Sequence, residues 1–156
     1  MSNSLCLIVP HHFYEASKIE QILLKKSLKV GRFSRGDTLI ETMDAFILDD
    51  SAAAPWGPMI ADTAFIGRSL DGGGGTCPVD AIVEQCALVA GQDVFRQPEF
   101  FAELYKSKAA HFVSDSEGLA NFLTFVLINE ERRIGMCEAA FASLNTMRGA
   151  LEVTYL

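Results

Sequence analysis

The sequence is short of positive charge and of metal-binding spacing, and it has no long apolar run. Thirteen Lys and Arg stand against twenty Asp and Glu, a net charge of -7. That balance repels a phosphate backbone and offers no general cationic surface to anionic lipid, so nucleic acid and bulk membrane are excluded as direct partners. The four cysteines, Cys6, Cys77, Cys86 and Cys137, form no Cys-x-x-Cys pair and no Cys/His spacing suited to zinc. They read as reduced thiols, with Cys6 and Cys86 in apolar segments as small buried hydrophobes. No metal or cofactor is expected, and no disulfide is required. The opening MSNSLCLIVPHH has an apolar run far below the roughly 20 residues of a membrane span and no basic flank, so it reads as a strand and not as a signal peptide. A start almost directly in a core strand is expected of a chain cut from something longer. There is also no internal repeat, low-complexity tract or linker.

What the sequence does have is apolar mass: 49% of its 156 residues are hydrophobic, enough for one well-packed domain spanning 1–156. Apolar runs recur at Leu5 to Val9, Leu28 to Phe33, Ala45 to Leu48, Thr63 to Ile66, Ala87 to Ala90 and Ala110 to Val113. Their continuous apolarity predicts strands of a parallel sheet, buried on both faces. Between them, Tyr14 to Lys26 places Ile19, Ile22 and Leu23 at helical spacing with lysines outward. Pro78 to Gln85, Pro98 to Lys106, Glu117 to Asn129 and Asn129 to Leu156 are also predicted helical, with Asp115 or Ser116 as a cap. The alternation predicts an α/β fold with a single Rossmann-like, doubly wound parallel sheet, which binds ligands beyond the carboxyl ends of its strands.

The most unusual segment is 65–80, FIGRSLDGGGGTCPVD, where a strand runs through four consecutive glycines into a helix. Exposed backbone N-H groups and a helix start suit a phosphate or sugar hydroxyls; a flexible connection is the alternative. The segment is neither a dinucleotide fingerprint nor a P-loop, since it lacks the ribose-binding acid of the first and the Gly-Lys-Ser/Thr of the second. His11 and His12 follow the first strand, where they could bind phosphate or move protons near neutral pH, or could be exposed turn residues. Asp49 and Asp50 could hold a divalent cation, but an adjacent pair without a third acid more often ends a strand and caps a turn. Trp56, beside Pro55, is expected to pack a loop rather than stack on a base.

The order strand, Gly67-x-Ser69-Leu70, Gly74-Gly75, two small residues, Pro78-x-Asp80, helix, strand, Gly91 resembles the C-terminal domain of bacterial 3-deoxy-D-manno-octulosonic acid (Kdo) transferases. The corresponding family strings are Gly-Gly-Ser-Leu, Gly-Gly-His-Asn, Pro-Leu-Glu and Gly-Pro-His. The register holds without a gap from Ala61 to Phe95, with further matches at Pro10 and His12 and at 148–152. The resemblance implies the C-terminal half of a two-domain GT-B glycosyltransferase. That half holds CMP-Kdo; an N-terminal half, absent here, binds the lipid A precursor, touches the membrane and supplies the catalytic base. By resemblance, His11, His12, Gly67, Arg68, Ser69, Gly74, Gly75, Thr76, Asp80 and Gly91 line the nucleotide-sugar site, with no catalytic residue in this half. Asp80 would accept hydrogen bonds from sugar or ribose hydroxyls, or else only complement its helix dipole. Arg68, where the family has glycine, is the local candidate for a phosphate contact, with simple solvation as the alternative.

The resemblance also implies a role in lipopolysaccharide biosynthesis, in the cytoplasm at the inner face of the bacterial inner membrane, with no catalysis by this fragment alone. Departures include His11 for an arginine, Thr76-Cys77 for His-Asn, Gly91-Gln92-Asp93 for Gly-Pro-His, Arg96 for an asparagine and 49–54, DDSAAA, for Asp-Thr-x-Gly-Glu-Leu. They remove groups that would meet a phosphate and the nucleotide. Two other readings therefore stand beside the first. One is a degenerate donor domain kept as a non-enzymatic interaction module; the other is a flavodoxin-like phosphate- or nucleotide-binding protein using Asp49, Asp50 and the glycine loop.

Overall fold

All six apolar runs form strands: β1 (Cys6–Ile8), β2 (Val30–Arg32), β3 (Ala45–Ile47), β4 (Thr63–Phe65), β5 (Ala87–Ala90) and β6 (Ala110–Phe112). The computed structural model describes residues 4–154, and side chains as far as residue 148. The helices are α1 (Ala16–Lys25), α2 (Trp56–Ile60), α3 (Val79–Val83), α4 (Pro98–Lys106), α5 (Ser116–Ile128) and α6 (Glu130–Thr154). Helix α2 was not expected, because 51–60 carries two prolines and a glycine and no helical periodicity. None of the helices described is long and apolar enough to cross a membrane.

Every strand pairing is parallel, as the α/β reading requires, and the pairing falls into two sets, β1-β3-β2 and β4-β5-β6. The single sheet expected from the sequence is thus seen as two three-stranded sets, since apolar runs show where strands lie and not which of them bond. The chain divides correspondingly into compact units before and after the Ile60–Ala61 boundary.

In the first unit, central β3 is buried throughout, and Phe46 and Leu48 pack with Ala53 against Leu7, Phe33 and Met43. Trp56, at the start of α2 rather than in a loop, meets Phe33 edge-on at 5.3 Å but keeps 47% of its surface exposed. In the second unit, all four residues of β5 are fully buried. Leu88 and Ala90 face one cluster with Ile82, Phe101 and Leu104, while Ala87 and Val89 face another with Phe122, Val126 and Met136. Alternate residues of a strand point to opposite faces, so helices on both sides are what permits this unbroken apolarity. The edge strands β1, β2, β4 and β6 are only partly covered. Asp115 accepts a 2.8 Å hydrogen bond from the Gly118 amide and caps α5, which fixes where that helix starts.

Cys86 and Cys137 are buried, whereas Cys6, expected inside, is exposed on the edge strand β1, and Cys77 is exposed too. Burial, with the neighbouring Cys137, Glu84 and Asp62, pushes the Cys86 thiol up to about 11. Burial also raises Cys137. Burial raises the Cys6 thiol as well, so a thiol reagent applied to the folded chain near neutral pH is expected to modify Cys77 first and Cys6 more slowly, and to spare Cys86 and Cys137 until the chain is unfolded. Mass spectrometry of the labelled chain checks this.

Candidate functional site

The glycine-rich segment leaves β4 at Ile66 and is gripped at its base by one buried hydroxyl. Ser69 has no exposed surface. Its Oγ donates to the Ile66 carbonyl at 2.5 Å and accepts from the Gly91 amide at 2.7 Å, joining the loop after β4 to the loop after β5. The Asp93 amide adds a bond to the Ser69 carbonyl at 2.9 Å. Gly91 has no alternative residue here: a Cβ on it would lie 1.9 Å from the Ser69 carbonyl oxygen. Ser69 and Gly91, expected against a ligand, are therefore the clasp that shapes the loop.

Beyond the clasp the loop folds on itself. The Gly75 amide donates to the Arg68 carbonyl at 3.0 Å, the Thr76 amide to the Gly67 carbonyl at 3.1 Å and the Arg96 amide to the Gly74 carbonyl at 3.2 Å. Gly74 has a φ of 86°, and a Cβ there would meet Arg96 and Phe95 at under 3 Å. The Gly72 amide donates to Asp93 Oδ2 at 2.8 Å and the Gly73 amide to Asp71 Oδ1 at 3.0 Å. The open row of N-H groups expected from four glycines is thus largely closed by the chain's own acceptors. An aspartate just ahead of four glycines is a turn signal that could have revealed the Asp71 contact. Asp93 could not be found this way, being 21 residues from Gly72.

Three predicted residues remain open. A Cβ on Gly67 would meet nothing within 4 Å, so neither crowding nor a left-handed backbone explains glycine at this place. Arg68 is exposed, without an ion pair among the described residues, and has a φ of 61°. The other non-glycine residues with positive φ, Ser27, Gln85 and Lys108, each follow a helix, where such a conformation terminates it. Arg68 stands instead in the loop, at a cost on the order of 1 kcal/mol that glycine would not incur. Asp80 is exposed on α3 with no side-chain partner described. Because α3 has only five residues, shorter than the helix expected from Pro78, a dipole explanation for Asp80 is weak. Next to Gly74 and Gly75 lies an open groove of about 590 Å³, lined by Asp93, Phe95, Phe101, Tyr105 and Phe112 among others.

His11 and His12 belong to the first unit, separate from the loop in the second. Both are exposed; their rings lie 4.4 Å apart, and His12 stacks on Tyr14 at 5.2 Å. Asp49 is buried and accepts from Arg32 Nε, from the Ser34 amide at 2.9 Å and from Ser34 Oγ at 2.6 Å. Burial raises its carboxyl, but the Ser34 and Arg32 bonds outweigh that and hold it below the usual carboxylate range. Asp50 accepts from the Ala52 amide at 2.8 Å. Both acids are committed to strand-ending and turn-capping bonds, and no cluster of three metal-ligating side chains occurs among the described residues. Arg148 is exposed; the rest of the 148–152 match lies outside the described side chains.

The loop, its clasp and its open Gly67, Arg68 and Asp80 can be compared with known proteins. The chain is similar to a Kdo transferase. Over 151 residues, 96% of this chain, it is 26% identical to the 3-deoxy-D-manno-octulosonic acid transferase of Haemophilus influenzae. It spans only 35% of that relative's length. In fold it matches the C-terminal CMP-Kdo binding domain of WaaA from Acinetobacter baumannii, with a TM-score of 0.86 over 90% of this chain and 73% of that one, at 20% identity. No protein-family model matches. The resemblance read in the loop motifs thus extends over nearly the whole chain, and the α/β architecture is the fold of the Acinetobacter baumannii domain.

Ser69→Ala is expected to destabilise the chain by about 1–3 kcal/mol, because the Gly91 amide loses its buried acceptor. Gly91→Ala is expected to cost more, since backbone must move to admit the methyl group. Urea unfolding of both variants checks the order; a Gly91→Ala chain as stable as the parent would contradict the clasp.

Proposed function

We propose that residues 1–156 act as the donor-binding domain of a glycosyltransferase that moves Kdo from CMP-Kdo to a lipid A precursor in lipopolysaccharide biosynthesis. The observation that carries this reading is the ungapped motif string from Gly67 to Gly91, formed into a self-braced loop on a fold like that of a CMP-Kdo binding domain. Gly67 would let the donor approach the backbone, Arg68 would meet its phosphate and Asp80 would accept from its hydroxyls. Gly74, Gly75 and Thr76 belong to the same proposed site, and Ser69 and Gly91 serve it by shaping the loop; His11 and His12 are proposed donor contacts of the first unit.

The relative's greater length supports an N-terminal acceptor domain as partner. An acceptor-activating base would sit there, which makes this chain a binding domain inactive by itself. Attachment to the cytoplasmic face of the inner membrane would also come through that half. One observation favours a second reading, a domain kept for interaction alone: the carboxylates on Gly72 and Gly73 occupy amides that a phosphate would otherwise use.

Calorimetric titration with CMP, CDP, UMP and UDP separates the two. The donor-domain reading predicts selective CMP binding, weakened roughly tenfold by Arg68→Ala and by Asp80→Ala, in keeping with about 1.4 kcal/mol for each lost charged contact. No binding of any nucleotide by folded chain, alone or joined to an acceptor domain, would favour the interaction module.

A further inference from the structure

Four hydrogen bonds tie the segment after β5 to the glycine loop, and Asp93 makes two of them, donating through its amide to the Ser69 carbonyl and accepting at Oδ2 from the Gly72 amide. Asp71 treats the Gly73 amide in the same way. A row of glycine amides attracts anions because its N-H dipoles converge. Here two of those dipoles already end on carboxylates of the chain itself. An incoming phosphate oxygen at Gly72 would have to displace a charge-assisted bond of 2.8 Å and would meet the Asp93 carboxylate itself.

We propose that Asp93 is a specificity-determining residue of the glycine loop: its carboxylate on Gly72, with Asp71 on Gly73, closes this part of the loop to phosphate and turns it toward the uncharged, hydroxyl-bearing part of a ligand. The inference rests on the donor-domain reading for the identity of that ligand. The phosphate is left to Arg68, which is exposed, makes no ion pair among the described residues and rests its side chain over Gly73 beside Asp71. The exposed Gly72 end of the loop faces hydroxyls, which can donate to the Asp93 carboxylate where a phosphodiester cannot. The same arrangement accounts for the acid at position 93 as more than a solvated surface group, since it fixes both the loop's path and its charge.

The test uses isotope-labelled chain and follows the Gly72 and Gly73 amide signals while inorganic phosphate, CMP or cytidine is added. Asp93→Asn keeps an oxygen for the Gly72 amide and removes the charge. The inference predicts that phosphate leaves the Gly72 signal unmoved in the parent chain and shifts it in Asp93→Asn, with phosphate affinity at Gly72 raised roughly five- to tenfold; Gly73, under Arg68 and bonded to Asp71, serves as the reference. Cytidine, whose hydroxyls would lose a charged acceptor, should gain no affinity from the change. Asp93→Ala should in addition speed hydrogen exchange at Gly72, because its acceptor is gone. Phosphate-dependent shifts at Gly72 in the parent chain, or equal phosphate response in parent and Asp93→Asn, would overturn the inference. Failure of CMP to bind either protein would count against the donor-domain reading alone, since the phosphate and exchange measurements decide the role of Asp93 without it.

Discussion

The loop depends on a single buried hydroxyl. Ser69 Oγ has two strong neighbours, a carbonyl at the end of β4 and an amide at the end of β5, and it satisfies both. Because these groups are out of water, leaving either unpaired costs more than an exposed bond would return. The clasp also dictates glycine at position 91, where the Ser69 carbonyl occupies the space of a side chain. From that contact follow the register between the two loops, the Asp93 and Arg96 bonds, and the left-handed turns at Gly72, Gly74 and Gly75.

The clasp can be this demanding because its base is rigid. β4 and β5 pair in parallel, with Phe65 opposite Val89, and β5 is enclosed on both faces. A strand with no exposed residue cannot shift register without moving alternate side chains between two clusters, which makes the loop ends fixed points. Gly67 and Arg68 then lie on a braced loop, the Arg68 side chain resting over Gly73, and Asp80 on the helix that follows it, a fixed support for the proposed contacts.

How much of this was legible in the sequence differs by level. Strand positions were, because runs such as Ala87 to Ala90 are apolar without alternation and too short for helices. Helix α4 begins and ends where Pro98 and Lys106 suggested. The pairing into two sets was not legible, nor was the exposure of Cys6, since both depend on which strands are edges. Helix α2 carried no periodic signal. At the site, the glycine segment marked the right place, but four glycines suggested free amides, and whether an amide is free is decided by acceptors as distant in sequence as Asp93. Ser69 looked like a ligand contact from its motif and proves to be internal. Asp49 looked like a cation ligand or a strand cap, and its bonds to Arg32 and Ser34 make it the latter.

The central claim is that the Ser69 clasp holds the glycine loop in the form that receives a cytidine-nucleotide donor. The most direct measurement is a map of backbone amide shifts on adding CMP to labelled parent chain and to Ser69→Ala, with the β5 signals as a check that the core is intact. The account predicts shifts concentrated around Gly67, Arg68 and Asp80 in the parent and their loss in Ser69→Ala. Equal shifts in both proteins, or shifts remote from the loop, would contradict it.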